Sequence, residues 1–196
     1  EFMGDMDFVP VPIDRLISDE YADQRWMSVD SLQASQSENI THGDIPIHYN
    51  ESEETTHFSV VDQWGNAVSV TTTVNGWFGS GIVVDGAGFL LNNEMDDFSS
   101  KPGTPNAYGL VGNAANAIEP GKRMLSSMSP TIVETPEGEL FLVVGSPGGS
   151  TIITTTAQII MNVIDFGMNI QDAVNAPRFH HQWLPDLIFF ESDRFS

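Results

Sequence analysis

Hydrophobic and polar positions alternate regularly from residue 55 onward and show no such order before it. Thr56, Phe58 and Val60 alternate with His57, Ser59 and Val61. After Asp62-Gln63-Trp64-Gly65-Asn66, the set Val68, Val70 and Val74 is interleaved with Ser69, Thr71 and Thr73. Period two on both sides of an Asp/Gly/Asn cluster predicts a hairpin over 55–75, buried on one face and polar on the other. Ile132-Val133 and Leu140–Val144, flanking Pro136-Glu137-Gly138, predict a second hairpin. The period then changes. Ile153, Ala157, Ile160 and Ile164, with Ile152, Ile159, Met161 and Val163 between them, make the stretch after Gly148-Gly149-Ser150 apolar almost all round. That pattern predicts a buried helix packed on the sheet and ending near Gly167. A short helix is expected over Ile170–Asn175, stopped by Pro177. Gly79 to Gly88 is glycine-punctuated and irregular, and residues 99–122, rich in Pro and Gly, read as a loop whose length points to function or disorder.

The first part of the chain has a weaker pattern. Ile13, Leu16, Ile17 and Tyr21 recur at helical spacing with Pro12 near the first turn, which predicts one short helix. Residues 28–54 hold six acids, no Lys or Arg, and few large apolar side chains. Such a stretch cannot bury much surface and is expected to be a mobile linker. The alternative is an ordered extended segment lying on another domain.

Composition sharpens this picture by exclusion. The 196 residues suffice for one domain with a core, or one domain plus an appendage, and 40% of them are hydrophobic. Seven Lys and Arg against 27 Asp and Glu give a formal charge of -20, which repels phosphate backbones and anionic membranes, so nucleic acid is a poor partner. With no cysteine there are no disulfides, no thiolate catalysis and no Cys-ligated zinc. No apolar run is long enough to span a membrane, and Glu1-Phe2-Met3-Gly4-Asp5 has no signal-peptide character. Both ends read as cuts within a longer protein.

Several stretches could carry chemistry, each with a plainer reading beside it. Thr55 and Thr56 stand where the core begins. A threonine hydroxyl is a weak nucleophile and needs a base next to it. If the Glu54–Thr55 bond were cut, the freed α-amine, with a reference pKa of ~7.7–8.0, would supply that base. Uncut, the two threonines are ordinary strand formers. Gly145-Ser146-Pro147-Gly148-Gly149-Ser150 offers backbone N–H groups at a helix start for a developing oxyanion, or else a strand-to-helix turn that requires glycine. Ser126-Ser127-Met128-Ser129-Pro130 offers paired hydroxyls for a carboxylate, or a turn. Asn92–Asp97 has three acids in four positions, suited to an ammonium group or simply a solvated turn. It lacks the spacing and glycine of an EF-hand loop, so no metal is expected. His180 and His181, adjacent on an extended segment, point to opposite sides and are expected to be structural.

The order of these stretches is more specific than any one of them. Thr55-Thr56-His57-Phe58-Ser59-Val60-Val61-Asp62, Thr73-Val74-Asn75, Leu91–Phe98, Lys101-Pro102-Gly103, Leu125–Thr131, Gly145–Ser150 and Asn175–Pro185 together closely resemble the small-subunit region of γ-glutamyltranspeptidases. The resemblance runs from Thr55 to about Asp186. Residues 1–27 look like the end of that family's large subunit, and 28–54 like the segment before its processing point. It therefore implies a division into 1–54, large-subunit end and pre-cleavage linker, and 55–196, a truncated small-subunit catalytic region. The implied fold is α+β, the αββα sandwich of N-terminal-nucleophile hydrolases.

The resemblance also implies a mechanism and a set of site residues. The precursor cleaves itself between Glu54 and Thr55. Thr55 then attacks a γ-glutamyl amide, glutathione or a related donor, giving a γ-glutamyl ester that water or an amino acid or peptide amine resolves. Thr73 matches the residue that orients the nucleophile. Asn75, Glu94 and Asp97 match the site for the donor α-amino group, and Ser126 and Ser127 match residues binding its α-carboxylate. Gly148 and Gly149 match the oxyanion-hole glycines. The 101–113 loop, with Tyr108, resembles a lid over the pocket. No cofactor or metal is implied, the partner is the large subunit of the same precursor, and the site of action is periplasmic or extracellular. The family also uses a large-subunit arginine for the α-carboxylate, and no arginine here sits in the matching motif, so the isolated chain is expected to be inactive. The rivals are another acylase of the superfamily, or a non-catalytic fragment that cannot mature. Asn75, Glu94 and Asp97 argue against the first, because a plain acyl chain carries no ammonium.

Overall fold

The computed structural model describes residues 3–40, 55–104 and 112–191. The chain forms two compact units, each assembled from separate segments. The first comprises Glu1–Tyr49, Met95–Leu125 and Trp183–Asp186, and the second Asn50–Glu94, Ser126–Gln182 and Leu187–Ser196.

In the first unit the expected single helix is two, α1 (Ile13–Leu16) and α2 (Asp19–Trp26). Ser18 divides them. Its backbone is extended and its hydroxyl accepts the Tyr21 N–H at 3.2 Å, so it caps α2, with Asp19 and Glu20 in the first turn. Neither helix buries a side chain. Polar contacts hold this part of the chain instead. The buried Asp5 carboxylate accepts from the Arg123 backbone N–H at 2.9 Å, from its Nε at 3.0 Å and from its Nη2 at 2.5 Å. The side-chain part of this contact is a bidentate, charge-assisted fork. Arg123 hydrogen bonds push the Asp5 carboxyl far below the usual carboxylate range. A depressed carboxylate pKa contributes stability that is complete above the unfolded value of about 3.9 and is lost only as the pH falls through the folded value. Asp5→Asn should therefore lower the melting temperature at neutral pH and flatten the acid limb of a melting-temperature profile taken from pH 2 to 7. An unchanged profile would mean the fork contributes nothing.

Residues 28–40 depart from the linker expectation. They include a 3-10 turn, Ser37–Asn39, and Ser37 is only 2% exposed. The Ser37 N–H and hydroxyl donate to the Asp186 carboxylate at 3.2 and 2.7 Å. Trp183 Nε1 donates to the carbonyls of Ser37 and Ile40 at 2.9 and 3.0 Å. A stretch with few large apolar side chains is thus ordered through hydrogen bonds to residues almost 150 positions away. Residues 41–54 lie outside the described residues.

The second unit contains both expected hairpins. Strands β1 (Thr55–Val61) and β2 (Ala67–Thr73) are antiparallel, with Thr55 opposite Thr73 and Phe58 opposite Val70. The Asp62 carboxylate closes their turn, accepting from the N–H groups of Trp64 and Asn66 at 2.8 and 2.9 Å. Strands β3 (Thr131–Glu134) and β4 (Leu140–Val144) pair through a bulge at Val133/Glu134. The sidedness of the first hairpin is the reverse of what alternation suggests. Phe58, Val60 and Val68 are about half exposed, while Thr55, His57, Ser69, Thr71 and Thr73 lie on the more covered face. The polar face is covered because it finds acceptors there. The Ser59 and Ser69 hydroxyls donate to the carbonyls of Val143 and Val144 at 3.3 and 3.1 Å.

Helix α3 (Ile152–Ile164) follows β4, and α4 (Ile170–Asn175) follows α3. Val144, Ile159 and Ala173 form the core, with Leu142, Ile160 and Val163 packed on them. The expectation of a helix buried all round fails. Ile152, Thr156 and Ile159 make one buried stripe, and Ile153, Met161 and Ile164 are about half exposed. Among the described residues, α3 packs against Val144 of β4, α4 and the segment around Phe179–His180. Gly167, at φ +64°, turns the chain after α3. The Asn169 side chain caps α4 by accepting the Asp172 N–H at 3.0 Å. Strands β5 (Phe179–His180) and β6 (Phe189–Phe190) pair beside α3, fixed by Gln158, whose Nε2 donates to the Phe179 carbonyl at 2.8 Å.

Candidate active site

The antiparallel register brings the first residue of β1 beside the last of β2, so Thr55 and Thr73 face each other across the open end of the hairpin. Directly opposed residues have Cβ atoms about 4.5–5.5 Å apart on the same face. Beyond Thr73 the chain turns sharply. The Asn75 N–H donates to Thr73 Oγ1 at 2.9 Å, and Asn75 has φ 71°, a left-handed conformation that asparagine tolerates better than most residues. Asn75 is buried, and its Nδ2 donates to the Asn93 carbonyl at 3.3 Å. The Asn93 side chain accepts the Gly76 N–H at 2.9 Å, and its own N–H donates to Val74 O at 3.2 Å. Three hydrogen bonds thus tie the end of β2 to the residue preceding Glu94.

Glu94 and Asp97 bound a 3-10 turn, Glu94–Asp97, whose repeat of three sets their side chains on one side of it. Glu94 is partly buried, and desolvation pushes its pKa above the ordinary glutamate value. A bound cation would reverse that shift. Asp97 belongs to the first unit, where its carbonyl accepts Asn116 Nδ2 at 2.7 Å.

The glycine turn lies at the end of β4. Gly148 has φ 127° and Gly149 φ 55°, both disfavoured for residues with a Cβ, and a Cβ on Gly148 would meet Thr151 Oγ1 at 2.5 Å. The Gly148 carbonyl accepts the Thr151 N–H at 3.0 Å and its hydroxyl at 2.7 Å, closing the turn that leads through the 3-10 segment Gly149–Thr151 into α3. The Ser127 hydroxyl donates to the Gly149 carbonyl at 2.8 Å, which joins the serine pair to this turn. Ser126 is exposed, and its Oγ accepts the Met128 N–H at 3.1 Å.

The second unit therefore contains Thr55, Thr73, Asn75, Glu94, Ser126, Ser127, Gly148 and Gly149. Glu54 and Tyr108, the expected cleavage and lid positions, lie outside the described residues. His180 is buried, with Nδ1 2.8 Å from Thr154 Oγ1 and Nε2 2.9 Å from Gln182 Oε1, and joins α3 to β5. Three further residues of these runs had no role assigned from the sequence. Asn93 locks Asn75, and the His57 ring stands over Gly145 at the start of the glycine turn. All three lie within short runs whose individual contacts only the fold shows.

Comparison with known proteins identifies the family and the fold. The family model described as Gamma-glutamyltranspeptidase matches residues 1–196. The glutathione hydrolase proenzyme of Escherichia coli K12 is 56% identical over 186 residues, which is 95% of this chain and 32% of that relative. The chain thus spans about a third of the length of such curated relatives. The crystal structure of an acivicin-inhibited gamma-glutamyltranspeptidase superposes with a TM-score of 0.67 at 69% identity, covering 69% of this chain and 71% of that one. The cephalosporin acylase of Bacillus halodurans superposes with a TM-score of 0.69 at 28% identity, over 92% of this chain and 29% of that one. The fold is the α+β N-terminal-nucleophile hydrolase class.

Proposed function

Because the chain belongs to the gamma-glutamyltranspeptidase family, we propose that it carries the nucleophile of a γ-glutamyltransferase/glutathione hydrolase, made by scission between Glu54 and Thr55. Residues 1–54 are then the end of the large subunit and 55–196 part of the small one. The observation that carries this reading is the pairing of Thr55 with Thr73 at the hairpin end, in the unit that also holds the Gly148–Gly149 turn.

The Thr55 hydroxyl attacks the Glu54 carbonyl, and the ester that replaces the peptide bond is hydrolysed, leaving a Glu54 carboxylate and a free Thr55 α-amine. In the mature enzyme this amine takes the hydroxyl proton as Oγ attacks the γ-glutamyl carbonyl. Thr73 orients the hydroxyl, and the Gly148 and Gly149 N–H groups receive the oxyanion. The amine returns its proton to the leaving nitrogen, and a γ-glutamyl ester remains. Water completes hydrolysis; an amino acid or peptide amine completes transfer. Asn75, Glu94 and Asp97 bind the donor ammonium, Ser126 and Ser127 its carboxylate, and the 101–113 loop with Tyr108 covers the ester. The large subunit of the precursor supplies the rest of the site, which acts in the periplasm or outside the cell. No helix among the described residues is long and apolar enough to cross a membrane.

The test is the complete precursor, followed by intact mass and assayed with a γ-glutamyl anilide. A fragment beginning at Thr55, with anilide release that an amine acceptor accelerates, is the expected result. Turnover by a chain whose Glu54–Thr55 bond is whole would refute it.

Glu94 gives an independent prediction. Removing one charged partner from a charge-assisted contact costs roughly 1.5–3 kcal/mol, so Glu94→Gln should raise the donor KM roughly 10- to 100-fold and change kcat much less. Desolvation lifts the Glu94 pKa, so the wild-type donor KM should rise as the pH falls through that raised value, and Glu94→Gln should lack this limb.

A further inference from the structure

His57 is the one ring on the covered face of β1, two residues from Thr55 and on the same side of the strand. Its position is fixed at both nitrogens, Nδ1 lying 2.9 Å from Thr71 Oγ1 and Nε2 3.1 Å from Ser59 Oγ. The Ser59 hydroxyl donates its single proton to the Val143 carbonyl at 3.3 Å. Ser59 Oγ therefore accepts from Nε2–H, and in the neutral imidazole, which burial favours by pushing the His57 pKa down, Nδ1 accepts the Thr71 hydroxyl proton.

The ring meets the backbone where β4 ends. A Cβ on Gly145 would overlap Cε1 and Nδ1 of His57, and would stand 2.9 Å from Nε2. Gly145 has φ outside the left-handed region, so its backbone does not demand glycine; the ring does. The carbonyls of the two preceding residues are held by Ser59 and Ser69. Val143, Val144 and Gly145 are thus fixed in succession against the covered face of the first hairpin. Three residues later the chain reaches Gly148.

We propose that His57 is a positioning residue for the Gly148–Gly149 turn: its ring is the surface on which Gly145 rests, and so sets the distance between the oxyanion-binding N–H groups and Thr55. This inference rests on the function proposed above. His57 touches no reacting atom, and it acts through Gly145. Displacement of catalytic groups by about an ångström costs roughly 100-fold in rate, and the displaced donors serve the transition state more than the bound substrate.

The test uses the complete precursor with five variants, Thr55→Ala, His57→Ala, His57→Gln, Gly145→Ala and the double variant His57→Ala/Gly145→Ala. Cleavage is followed by intact mass, and kcat and KM are normalised to cleaved protein. His57→Ala should be cleaved, lower kcat roughly 10- to 100-fold, and leave the donor KM within about two-fold. His57→Gln, which restores a donor toward Ser59, should recover part of kcat. Gly145→Ala alone should lower kcat at least as far, because its methyl collides with the ring. In the His57→Ala background the same methyl should cost less than about two-fold, a non-additivity expected only of groups in contact. Additive effects, an equal loss in KM, or a His57→Ala chain that is not cleaved would overturn the proposal. Should Gly145→Ala fail to fold, the kcat and KM of His57→Ala and His57→Gln decide alone. An active Thr55→Ala would instead refute the proposed function itself, so the two failures are distinguishable.

Discussion

Thr55→Ala is expected to abolish both cleavage at Glu54–Thr55 and release of product from a γ-glutamyl anilide. Alanine keeps the strand and its backbone pairing with Thr73 and removes the hydroxyl together with the γ-methyl, so the variant should fold and remain one polypeptide by intact mass. The rate loss should be total, because no other group takes over a covalent step when the nucleophile is missing. Thr55→Ser separates the two uses of the residue. It retains a hydroxyl and should still be cleaved and turn over, more slowly in both. Cleavage of Thr55→Ala at the same bond, seen as a fragment mass, would show that a different group drives maturation.

Gly148→Ala should produce the second largest effect. Gly148 sits at φ 127°, where an added Cβ is strained, and the same Cβ would meet Thr151 Oγ1 at 2.5 Å. The Thr151 hydroxyl is bonded to the Gly148 carbonyl at 2.7 Å, so it cannot move aside without opening the turn. If the Gly148 N–H is an oxyanion donor as proposed, displacing it should lower kcat by up to roughly 10²- to 10³-fold, and the KM of the donor substrate should change little. Gly138→Ala is the control. It also occupies a positive φ, +83°, but its Cβ would meet nothing and it lies in the turn between β3 and β4. It should reduce thermal stability while leaving kcat unchanged. A Gly138→Ala enzyme as slow as Gly148→Ala would mean that general destabilisation explains both.

Much of the second unit could be read from local pattern because local interactions make it. Asp62 closes the first hairpin, and Gly138 turns the second. Asn169 caps α4, and Gly167 ends the reach of α3. Each is a contact within a few residues. What failed was everything decided by distant partners. Alternation correctly gave two faces for β1 and β2 but could not say which is covered. The hydroxyls of Ser59 and Ser69 face inward because carbonyls of β4 wait for them. The apolar positions spread almost all round α3 gave a helix and overstated its burial. Residues 28–40 looked like a linker because they have few large apolar side chains, and Ser37 is anchored by Asp186 and Trp183 through polar contacts that no hydrophobicity pattern carries. The site residues were legible only as an ordered set of short motifs. Their mutual support, from Asn93 to Asn75 and from His57 to Gly145, emerged from the fold.

The two polar clasps of the first unit have a consequence for the state after maturation. Asp5 grips Arg123, and Ser37 grips Asp186 and Trp183, so each clasp reaches across the bond preceding Thr55. If that bond is severed as proposed, the same contacts join two molecules. Each clasp then keeps the other's ends at a high effective concentration, so that neither has to be tight by itself for the two products to stay together.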